Sequence, residues 1–298
     1  MISVVIPVFK NTELFLANLK HNLPYLAGCE IIIVNDDPSE SIRHDLKTFH
    51  IILIENDRNL GFGESVNRGV NKARGEFVLL LNSDVVVQDS SYKKALNFFK
   101  KNAALFAVSF AQIEKDGSTV GKNSFYWARG MFYHRKATDL TFGANGWAEG
   151  GSCLIHKKKF MQLSGFDNLY KPFYWEDIDL SYRAWKAGYE ILFDSKVVMT
   201  HHHESTIGKY FSEDVIKTAA FRNQFIFIWK NITDPDLSFS HVALLFWNMV
   251  YYMLKSEFNF FKGFIRASFM LQKILAKKYV QQKQYIYKDR EILKKFHE

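Results

Sequence analysis

The stretch from Gly75 to Asp84 constrains the fold of this chain more than any other part of the sequence. It places five apolar residues, Phe77 to Leu81, directly before Asn82, Ser83 and Asp84. A short apolar run between turn signals is typical of a strand that is covered on both faces. Ligands of open α/β sheets bind where such strands end. We therefore expect Asp84 at the edge of a central sheet, where a metal-bound diphosphate could sit.

Predicted strands and helices alternate up to about residue 110. This β-α-β-α order predicts a mostly parallel sheet with right-handed crossovers and flanking helices. Residues 106 to 147 are rich in aromatic side chains, and we interpret them as a mixed edge of the sheet followed by loops. The strands are predicted at Ser3 to Val8, Glu30 to Val34, Ile51 to Glu55 and Phe77 to Leu81, and the helices at Thr12 to Leu23, Ser41 to Thr48 and Gly63 to Ala73.

Helical patterning replaces the turn-rich pattern after residue 208. The sequence therefore predicts an α/β domain at residues 1 to 208 and a helical C-terminal region at residues 209 to 298. The longest apolar piece covers about 13 residues, whereas a helix needs about 20 to cross a bilayer, so we do not expect a membrane span. The helices are predicted at Phe221 to Trp229, Val242 to Leu254 and Phe264 to Lys278.

The basic charge of the chain is concentrated in its C-terminal segment. Residues 255 to 298 hold 11 Lys or Arg against 4 acidic residues, which gives +7 of the net charge of +8. Aromatic and aliphatic residues alternate with these cations, a mixture suited to an anionic membrane surface. An amphipathic helix that packs on its own domain or on another subunit is the alternative. Nucleic-acid binding is disfavoured because the rest of the chain is nearly neutral and has no recognition motif.

The N-terminus and the cysteines indicate a cytoplasmic protein. Met1 to Val8 has the pattern of a first strand and lacks the charged and apolar regions of a signal peptide. Only Cys29 and Cys153 are present, both among apolar or small residues. We expect them to pack in the core, without a disulfide framework.

Two loops that follow predicted strands are suited to binding a nucleotide. Asp36 follows the second strand, where its carboxylate could accept hydrogen bonds from a nucleobase or ribose, although Asp is also common in turns. Asn59 and Gly61 lie in a loop that leads into the helix predicted from Gly63. The free N–H donors of a helix N-terminus favour anionic groups, but neither loop identifies a ligand alone.

Asn82 and Asp84 form a candidate metal site. A divalent cation that neutralises a diphosphate is held by one or two carboxylates together with phosphate oxygens. Residues two apart on an extended segment point to the same side. Asp84 is therefore predicted as the main ligand, with Asn82 as a second contact, and an ordinary turn is the alternative.

Acidic residues also begin a predicted helix that stops at Gly188. Glu176, Asp177 and Asp179 could stabilise the helix dipole, but one of them could also act as a general base. Further along, His201 to His203 follow a strand-like run. An imidazole there could complete a metal site, or the three residues could simply be polar surface.

Five motifs, in their order and spacing, resemble glycosyltransferase family 2, particularly the bacterial branch of rhamnosyltransferase-like and galactofuranosyltransferase-like enzymes. The resemblance covers about residues 1 to 208. It implies the GT-A fold with a Rossmann-like central sheet, a nucleoside-diphosphate sugar donor, a divalent metal such as Mn²⁺ or Mg²⁺, and inversion at the anomeric carbon. We assign the loops of residues 106 to 147 to the acceptor side. The motifs are Val4-Val5-Ile6-Pro7-Val8-Phe9, Asn59-Leu60-Gly61-Phe62, Leu80-Leu81-Asn82-Ser83-Asp84, Gly165-Phe166-Asp167 and Trp175-Glu176-Asp177-Ile178-Asp179-Leu180.

The resemblance also implies roles in donor binding. Asp36 matches the acid that contacts the nucleoside, and Asp84 matches the metal-binding acid of the DXD motif. Asn82 stands where that motif has its first acid, which leaves the number of metal ligands open. Gly150 and Gly151 match a small-residue segment that leaves room for the donor sugar. The predicted nucleotide-sugar site comprises Pro7, Phe9, Asp36, Asn59, Gly61, Asn82, Ser83, Gly150 and Gly151.

The resemblance assigns catalysis to the acidic helix. Asp177 matches the catalytic base, and Glu176 orients either that base or the acceptor. His201 or His203 resembles a late metal-ligand histidine. We expect an inverting, metal-dependent transfer from a UDP- or dTDP-sugar to a glycan or lipid-linked acceptor in bacterial cell-surface polysaccharide synthesis.

Partners and alternatives complete the sequence-based expectations. The protein is expected at the cytoplasmic face of the membrane, as a possible homodimer. A non-catalytic membrane-associated scaffold is the first alternative, supported by the basic tail. A nucleotidyltransferase is the second, but it would carry a Gly-rich triphosphate loop where this chain has Pro7 to Asn11.

Overall fold

A ten-stranded sheet runs through the computed structural model, which describes residues 1–201 and 206–296. Two further strands, β8 and β9, form a separate antiparallel hairpin. The strands are β1 Ile2–Val8, β2 Glu30–Asn35, β3 Ile52–Glu55, β4 Phe77–Leu81, β5 Val85–Val87, β6 Leu105–Ile113, β7 Thr119–Val120, β8 Asn123–Ala128, β9 Met131–Lys136, β10 Gly143–Ala144, β11 Ser152–His156 and β12 Glu190–His201.

The strand order of the large sheet is β10-β12-β6-β11-β4-β1-β2-β3, with β5 beside β12 and β7 beside β6. Strands β3, β2, β1 and β4 are parallel, as are β6 and β12, whereas β11 is antiparallel to both of its neighbours. The predicted fold class is confirmed. The interpretation of residues 106 to 147 as a sheet edge is partly wrong, because β6 lies inside the large sheet. Of the strands that this segment contributes to that sheet, only β7 and β10 lie at its margin.

Strand β4 is covered on both faces, as its apolar run predicted. Val78 and Leu80 contribute to one hydrophobic core, and Leu79 and Leu81 contribute to the core on the other face. This alternation follows from the period of two residues in a strand. The polar residues that follow β4 therefore emerge at the carboxyl edge of the sheet.

Helices flank both faces of the sheet. Phe15 of the first helix packs in one core, and Val66 of the second helix packs in the other. The second helix approaches β1 closely because Gly69 has no side chain: a Cβ there would lie 2.4 Å from Val5 Cγ1. The helices are α1 Thr12–Asn22, α2 Phe62–Lys72, α3 Leu96–Lys101, α4 Lys157–Gln162, α5 Glu176–Lys186, α6 Thr206–Tyr210, α7 Glu213–Asn231, α8 Pro235–Leu254, α9 Phe258–Ser268, α10 Leu271–Gln281 and α11 Asp289–Lys295.

The helix predicted from Ser41 to Thr48 is wrong, because this segment forms consecutive turns. Its side chains are tied to the end of β3: the Ser41 hydroxyl donates to Glu55, and the Arg43 guanidinium donates two hydrogen bonds to the same carboxylate. Ile42 and Leu46 are buried four residues apart, which explains the helix-like pattern. The pattern identified the buried side but not the backbone conformation.

The C-terminal helices also differ from their predicted bounds. Helix α8 begins at Pro235 and has 20 residues. Proline at the start is expected, because its fixed backbone angle suits the first turn of a helix. By length and composition, α8 is therefore able to cross a membrane, which the predicted 13 residues were not. The helix predicted from Phe264 to Lys278 is two helices, α9 and α10, separated at Phe269 and Met270.

The C-terminal helices pack directly on the α/β part of the chain. Val5 of β1 and Phe296 after α11 belong to the same hydrophobic core. The division at residue 208 remains a prediction, but the two stretches do not have separate cores in the ranges that the structure describes.

Buried ion pairs join α7 to the acidic helix α5. Lys230 Nζ lies 2.6 Å from Asp179 Oδ1 and 2.8 Å from Asp167 Oδ2. Arg183 Nε lies 2.8 Å from Asp179 Oδ2, and all four side chains are buried. Burial raises the pKa of Asp179, but Arg183 and Lys230 outweigh that effect and hold its pKa below the usual range. Lys230 and Lys277 likewise outweigh burial and lower the pKa of Asp167, so both aspartates are charged in the folded protein.

Removing one charge of this buried network should be costly. Replacing Lys230 by Met removes the buried cation that Asp167 and Asp179 share, and we expect the free energy of unfolding to fall by about 3–5 kcal/mol. Lys277 supplies a matched control, because its Nζ lies 2.8 Å from Asp167 Oδ1 but its side chain is 46% exposed. Lys277→Met should cost less than about 1 kcal/mol. Urea unfolding measures both, and equal losses would contradict the role of Lys230.

Candidate active site

A cavity of about 630 Å³ opens at the carboxyl edge of the sheet. Its volume is in the range of small-molecule sites. It brings together every predicted site residue that the structure describes, and His203 lies outside the described residues. The predicted residues in its wall are Pro7, Phe9, Asp36, Asn59, Gly61, Asn82, Ser83, Asp84, Gly150, Gly151, Glu176, Asp177 and His201.

Helix α1 holds the segment that carries Asp84. Asn18 Nδ2 donates to the Ser83 carbonyl at 3.0 Å. One turn later, the Asn22 side chain donates to the Val85 carbonyl at 2.9 Å and accepts from the Val87 N–H at 2.8 Å. Side chains four residues apart lie on one helix face, so both amides reach the same segment. Hydrogen bonds from α1 therefore hold the backbone directly before and directly after Asp84.

Asp84 and His201 face each other across the cavity wall. Pairing of β5 with β12 places Val85 opposite His201, and His201 Nε2 lies 3.3 Å from Asp84 Oδ1. His201 Nδ1 lies 3.5 Å from Glu114 Oε1. Burial lowers the pKa of His201, but the two carboxylates outweigh it and raise that pKa above its usual value.

The Asp84 carboxylate and the His201 imidazole are the groups that could hold a divalent cation. A carboxylate on the second ring nitrogen, as Glu114 provides, is the usual way to orient a ligating imidazole. Among residues 1–201 and 206–296, no group of three or more metal-binding side chains is gathered in one place. A cation at Asp84 would therefore need phosphate oxygens or water as its remaining ligands.

Asp36 lines the cavity while its carboxylate is engaged by the neighbouring loop. Its Oδ1 accepts from the Leu60 N–H at 2.7 Å, and its Oδ2 accepts from the Gly61 N–H at 2.8 Å. Asn56 Nδ2 donates to the same carboxylate at 2.8 Å. Asp36 thus shapes the predicted nucleotide loop around Asn59, and its direct contact with a nucleoside remains a prediction.

Gly150 and Gly151 make room for protein side chains. A Cβ at Gly151 would lie 2.5 Å from Asn82 Nδ2, and one at Gly150 would lie 2.9 Å from Phe62. The Asn82 N–H also donates to the Gly151 carbonyl at 2.9 Å. The two glycines therefore let β11 approach the end of β4 closely. Whether they also leave room for a sugar remains a prediction.

The predicted catalytic acids begin helix α5 after an unusual backbone turn. Tyr174 and Trp175 have φ values of 69° and 76°, in the left-handed region that side chains other than glycine rarely adopt. Asn223 of α7 stabilises this turn, since its Nδ2 lies 2.9 Å from both the Phe173 and Tyr174 carbonyls. Such strain persists only where the surroundings hold it in place, and here it directs Glu176 into the cavity wall.

Three carboxylates meet at this wall: Glu149, Glu176 and Asp177. Burial, opposed by the N–H groups of Ile178 and Gly150 and reinforced by Glu149, raises the pKa of Asp177 to about 6. Burial and the Asp177 charge raise the pKa of Glu176 further. A carboxylate with a raised pKa, next to a cavity, is suited to accept a proton near neutral pH.

Sequence reasoning missed Glu149. Its carboxylate accepts hydrogen bonds from Gln112 and, at 3.1 Å, from Asn123 Nδ2. It directly precedes the predicted glycines Gly150 and Gly151, and this adjacency was the one available signal. The contacts that aim Glu149 at the cavity come from β6 and β8, which are distant in sequence.

Sequence reasoning also missed an aromatic wall of the cavity. His134 of β9 packs edge-on against Trp147 and Trp175, with ring centroids 5.2 and 5.0 Å apart. Burial lowers the pKa of His134 to about 4, so this ring is neutral near pH 7. His134 and Trp147 come from the segment assigned to the acceptor side, which is consistent with that prediction without testing it. The aromatic residues of the wall are His134, Trp147, Phe173, Tyr174, Trp175 and Phe211.

Comparison with known proteins gives the family. The model of a family described as glycosyl transferase family 2 matches residues 3–164, which is more than half of the 298 residues. A poly-beta-1,6-N-acetyl-D-glucosamine synthase of Staphylococcus epidermidis is 27% identical over 191 residues, covering 62% of this chain and 46% of that protein. An N-acetylglucosaminyl-diphospho-decaprenol L-rhamnosyltransferase of Mycobacterium tuberculosis is 24% identical over 189 residues, covering 54% and 61% respectively. The chain thus spans about half the length of these relatives.

Solved structures share the fold. GalNAc-T7 with UDP, GalNAc and Mn²⁺ has a TM-score of 0.61 at 17% identity and covers 79% of this chain and 48% of that one. TarS 1-349 of S. aureus has a TM-score of 0.55 at 15% identity, covering 95% and 87%. PcManGT of Pyrobaculum calidifontis, with GDP-Man and Mn²⁺, has a TM-score of 0.52 at 11% identity, covering 95% and 86%. These likenesses confirm the predicted GT-A fold, and the match of the family model to residues 3–164 shows that the chain belongs to glycosyl transferase family 2.

Proposed function

We propose that this chain is an inverting, metal-dependent glycosyltransferase that moves a sugar from a UDP- or dTDP-sugar to a hydroxyl of a glycan or lipid-linked acceptor. One observation carries the proposal: Asp177 and Asp84 line the same cavity at the carboxyl edge of the sheet. A proton acceptor and a site for diphosphate charge are the two functions that a single displacement requires.

The names of similar proteins support the donor and acceptor classes. The solved neighbours include complexes with UDP and with GDP-Man. One relative is named as a synthase of a poly-N-acetylglucosamine and another as a transferase acting on a diphospho-decaprenol lipid. We carry from these the classes of substrate only, a nucleoside-diphosphate sugar and a glycan or lipid-linked hydroxyl.

In the proposed reaction, Asp177 removes a proton from the acceptor hydroxyl. The hydroxyl oxygen attacks the anomeric carbon from the face opposite the diphosphate, and the bond to the diphosphate oxygen breaks as the new glycosidic bond forms. Burial and the nearby Glu149 charge keep the pKa of Asp177 high enough for this proton transfer. The aromatic wall beside Asp177 would hold the acceptor and exclude water from the reacting atoms.

The residues at the end of β4 fit a divalent metal. Asp84 Oδ1 is buried, receives no well-directed hydrogen bond from residues 1–201 and 206–296, and faces the His201 ring. One carboxylate and one imidazole suit Mn²⁺ or Mg²⁺ that also binds phosphate oxygens. When bound, the cation would neutralise charge on the departing nucleoside diphosphate. Asn82 and Ser83 would position the donor beside it.

Replacing Asp177 by Asn tests the proposal most directly. We expect kcat for sugar transfer to fall by about 10²-fold or more, because the amide cannot accept the proton. Donor affinity should stay close to that of the natural chain, and the melting temperature should rise, since a buried carboxylate is removed. Asp116→Asn, at an exposed turn, is the control. A panel of UDP-, dTDP- and GDP-sugars should be screened first for nucleoside-diphosphate release and transfer. Undiminished transfer by Asp177→Asn would exclude Asp177 as the base.

The rate of transfer should depend on pH through the same group. The base must be deprotonated, so kcat should fall as the pH drops below the pKa of Asp177, about 6. Glu149→Gln removes a neighbouring negative charge and should therefore move this acidic limb to lower pH. Glu149→Asp keeps the charge and should leave it in place. The measurement is kcat as a function of pH for both variants and the natural chain. If Glu149→Gln and the natural chain had the same acidic limb, the role of Glu149 would be contradicted.

Metal-dependent donor binding should require Asp84 and His201. Loss of outer-shell partners alone lowers metal affinity about 10- to 100-fold, so Asp84→Ala and His201→Ala should weaken Mn²⁺ binding by at least about tenfold. Electron paramagnetic resonance of Mn²⁺ and calorimetry with UDP or dTDP, with metal or EDTA, measure this without turnover. Glu76→Ala is a matched control, since this exposed carboxylate lies at the other end of β4. Unchanged affinity in Asp84→Ala would rule out the site.

A further inference from the structure

Helix α8 packs on the protein through an inner face that mixes apolar and polar side chains. Leu237 is buried in the core and Met249 packs against it. On the same face, His241 Nδ1 lies 2.7 Å from the Gly130 carbonyl, and Asn248 Nδ2 donates to the Arg129 carbonyl at 2.9 Å. Both side chains are buried against the turn of the β8–β9 hairpin. A helix that packs on a soluble core normally directs apolar residues inward.

The opposite side of α8 is apolar and exposed. We call this the outer face of α8. The six residues that define it are between 60% and 81% exposed, and no Lys or Arg occurs in the helix. A helix of 20 residues is about 30 Å long, so the outer face is a continuous apolar surface. The apolar residues on an ordinary protein surface are scattered singly. The outer face consists of Phe239, Val242, Phe246, Trp247, Met253 and Leu254.

Helix α9 continues the exposed apolar surface and adds positive charge. Phe258, Ile265 and Phe269 are exposed and spaced seven and four residues apart, which places them on one side of the helix. Lys262 and Arg266 are exposed on the same stretch, while Phe260 and Ala267 face the core. Aromatic side chains among cations are suited to the boundary between water and lipid.

Charge distinguishes between the occupants of this surface. Residues 255–298 carry 11 Lys or Arg against 4 acidic residues, so two copies meeting here would bring like charges together. An anionic bilayer supplies apolar depth and negative charge at once. We propose that the outer face of α8, with Phe258 and Ile265 of α9 and Phe269 directly after it, docks the protein on the anionic cytoplasmic face of a membrane.

Helix α8 lies on the bilayer surface in this arrangement. Its length and its low burial in the protein would allow a span, but its inner face is bound to the hairpin through His241 and Asn248. Crossing the bilayer would break the hydrogen bonds of His241 and Asn248 and move both side chains into hydrocarbon, which is costly. Lying in the interface keeps those bonds and buries the outer face.

The docked orientation would also bring the cavity near lipid. The β8–β9 hairpin meets α8 at Arg129 and Gly130, and it supplies His134 to the cavity wall. A lipid-linked acceptor could therefore reach the aromatic wall from the membrane to which α8 is bound. This last step rests on the proposed function, whereas docking itself does not.

Sedimentation with vesicles tests the docking. The full chain should pellet with vesicles of phosphatidylcholine and phosphatidylglycerol, and less with phosphatidylcholine alone. The double substitution Phe246→Glu and Trp247→Glu should lower vesicle affinity by about tenfold or more, since it removes apolar contacts and adds repulsion. Met161→Glu, an exposed apolar residue on α4, is the matched control and should bind like the natural chain.

Two further measurements make each outcome decisive. Circular dichroism confirms folding of the variants, and Phe269→Glu tests the surface outside α8 at the most exposed of these side chains. Folded variants that still pellet like the natural chain would overturn the proposal. So would a natural chain that ignores vesicles but is a dimer by light scattering, with a monomeric Phe246→Glu and Trp247→Glu variant. None of these assays needs transfer activity, so docking and the proposed reaction can fail separately.

Discussion

The helix that presents Glu176 and Asp177 is held by charges buried beneath it. Asp179 follows two residues after Asp177, and its carboxylate is bound by Arg183 from the same helix and by Lys230 from α7. The Asn231 amide and the Tyr170 hydroxyl complete its hydrogen bonds, each at 2.8 Å. Because this carboxylate is fully paired, the first turn of α5 is anchored while Glu176 and Asp177 face the cavity. The charged anchor and the proposed catalytic acids thus lie on the same helix with opposite electrostatic requirements.

Local patterns predicted most of the catalytic half of the chain. The apolar run before Asn82 predicted a strand covered on both faces, and β4 has that environment because both cores meet there. Parallel strands end at one edge of a sheet, so residues that follow β1, β2 and β4 converge without any long-range information. The candidate residues at those positions all line one cavity for this reason.

The parts that were not predicted depend on contacts between distant segments. Glu149 is aimed by Gln112 and Asn123, and the strained turn before α5 is held by Asn223. No sequence pattern near these acids indicates such partners. The segment from Ser41 to Thr48 shows the related limit, because a helix-like spacing of two buried residues is also compatible with successive turns. Hydropathy also failed for α8, since it measured an apolar length without indicating which side faces the protein.

The pairing of Lys230 with Asp179 has a consequence for synthesis of the chain. About 50 residues separate the two, so Asp179 leaves the ribosome well before Lys230, one of its two buried cations. Until α7 follows, Asp167 and Asp179 lack Lys230, and the turn at Tyr174 lacks the Asn223 amide that stabilises it. The acidic wall of the cavity can therefore acquire its final form only late in translation. A nascent chain ending near residue 208 would carry the recognisable motifs of its family without an assembled site.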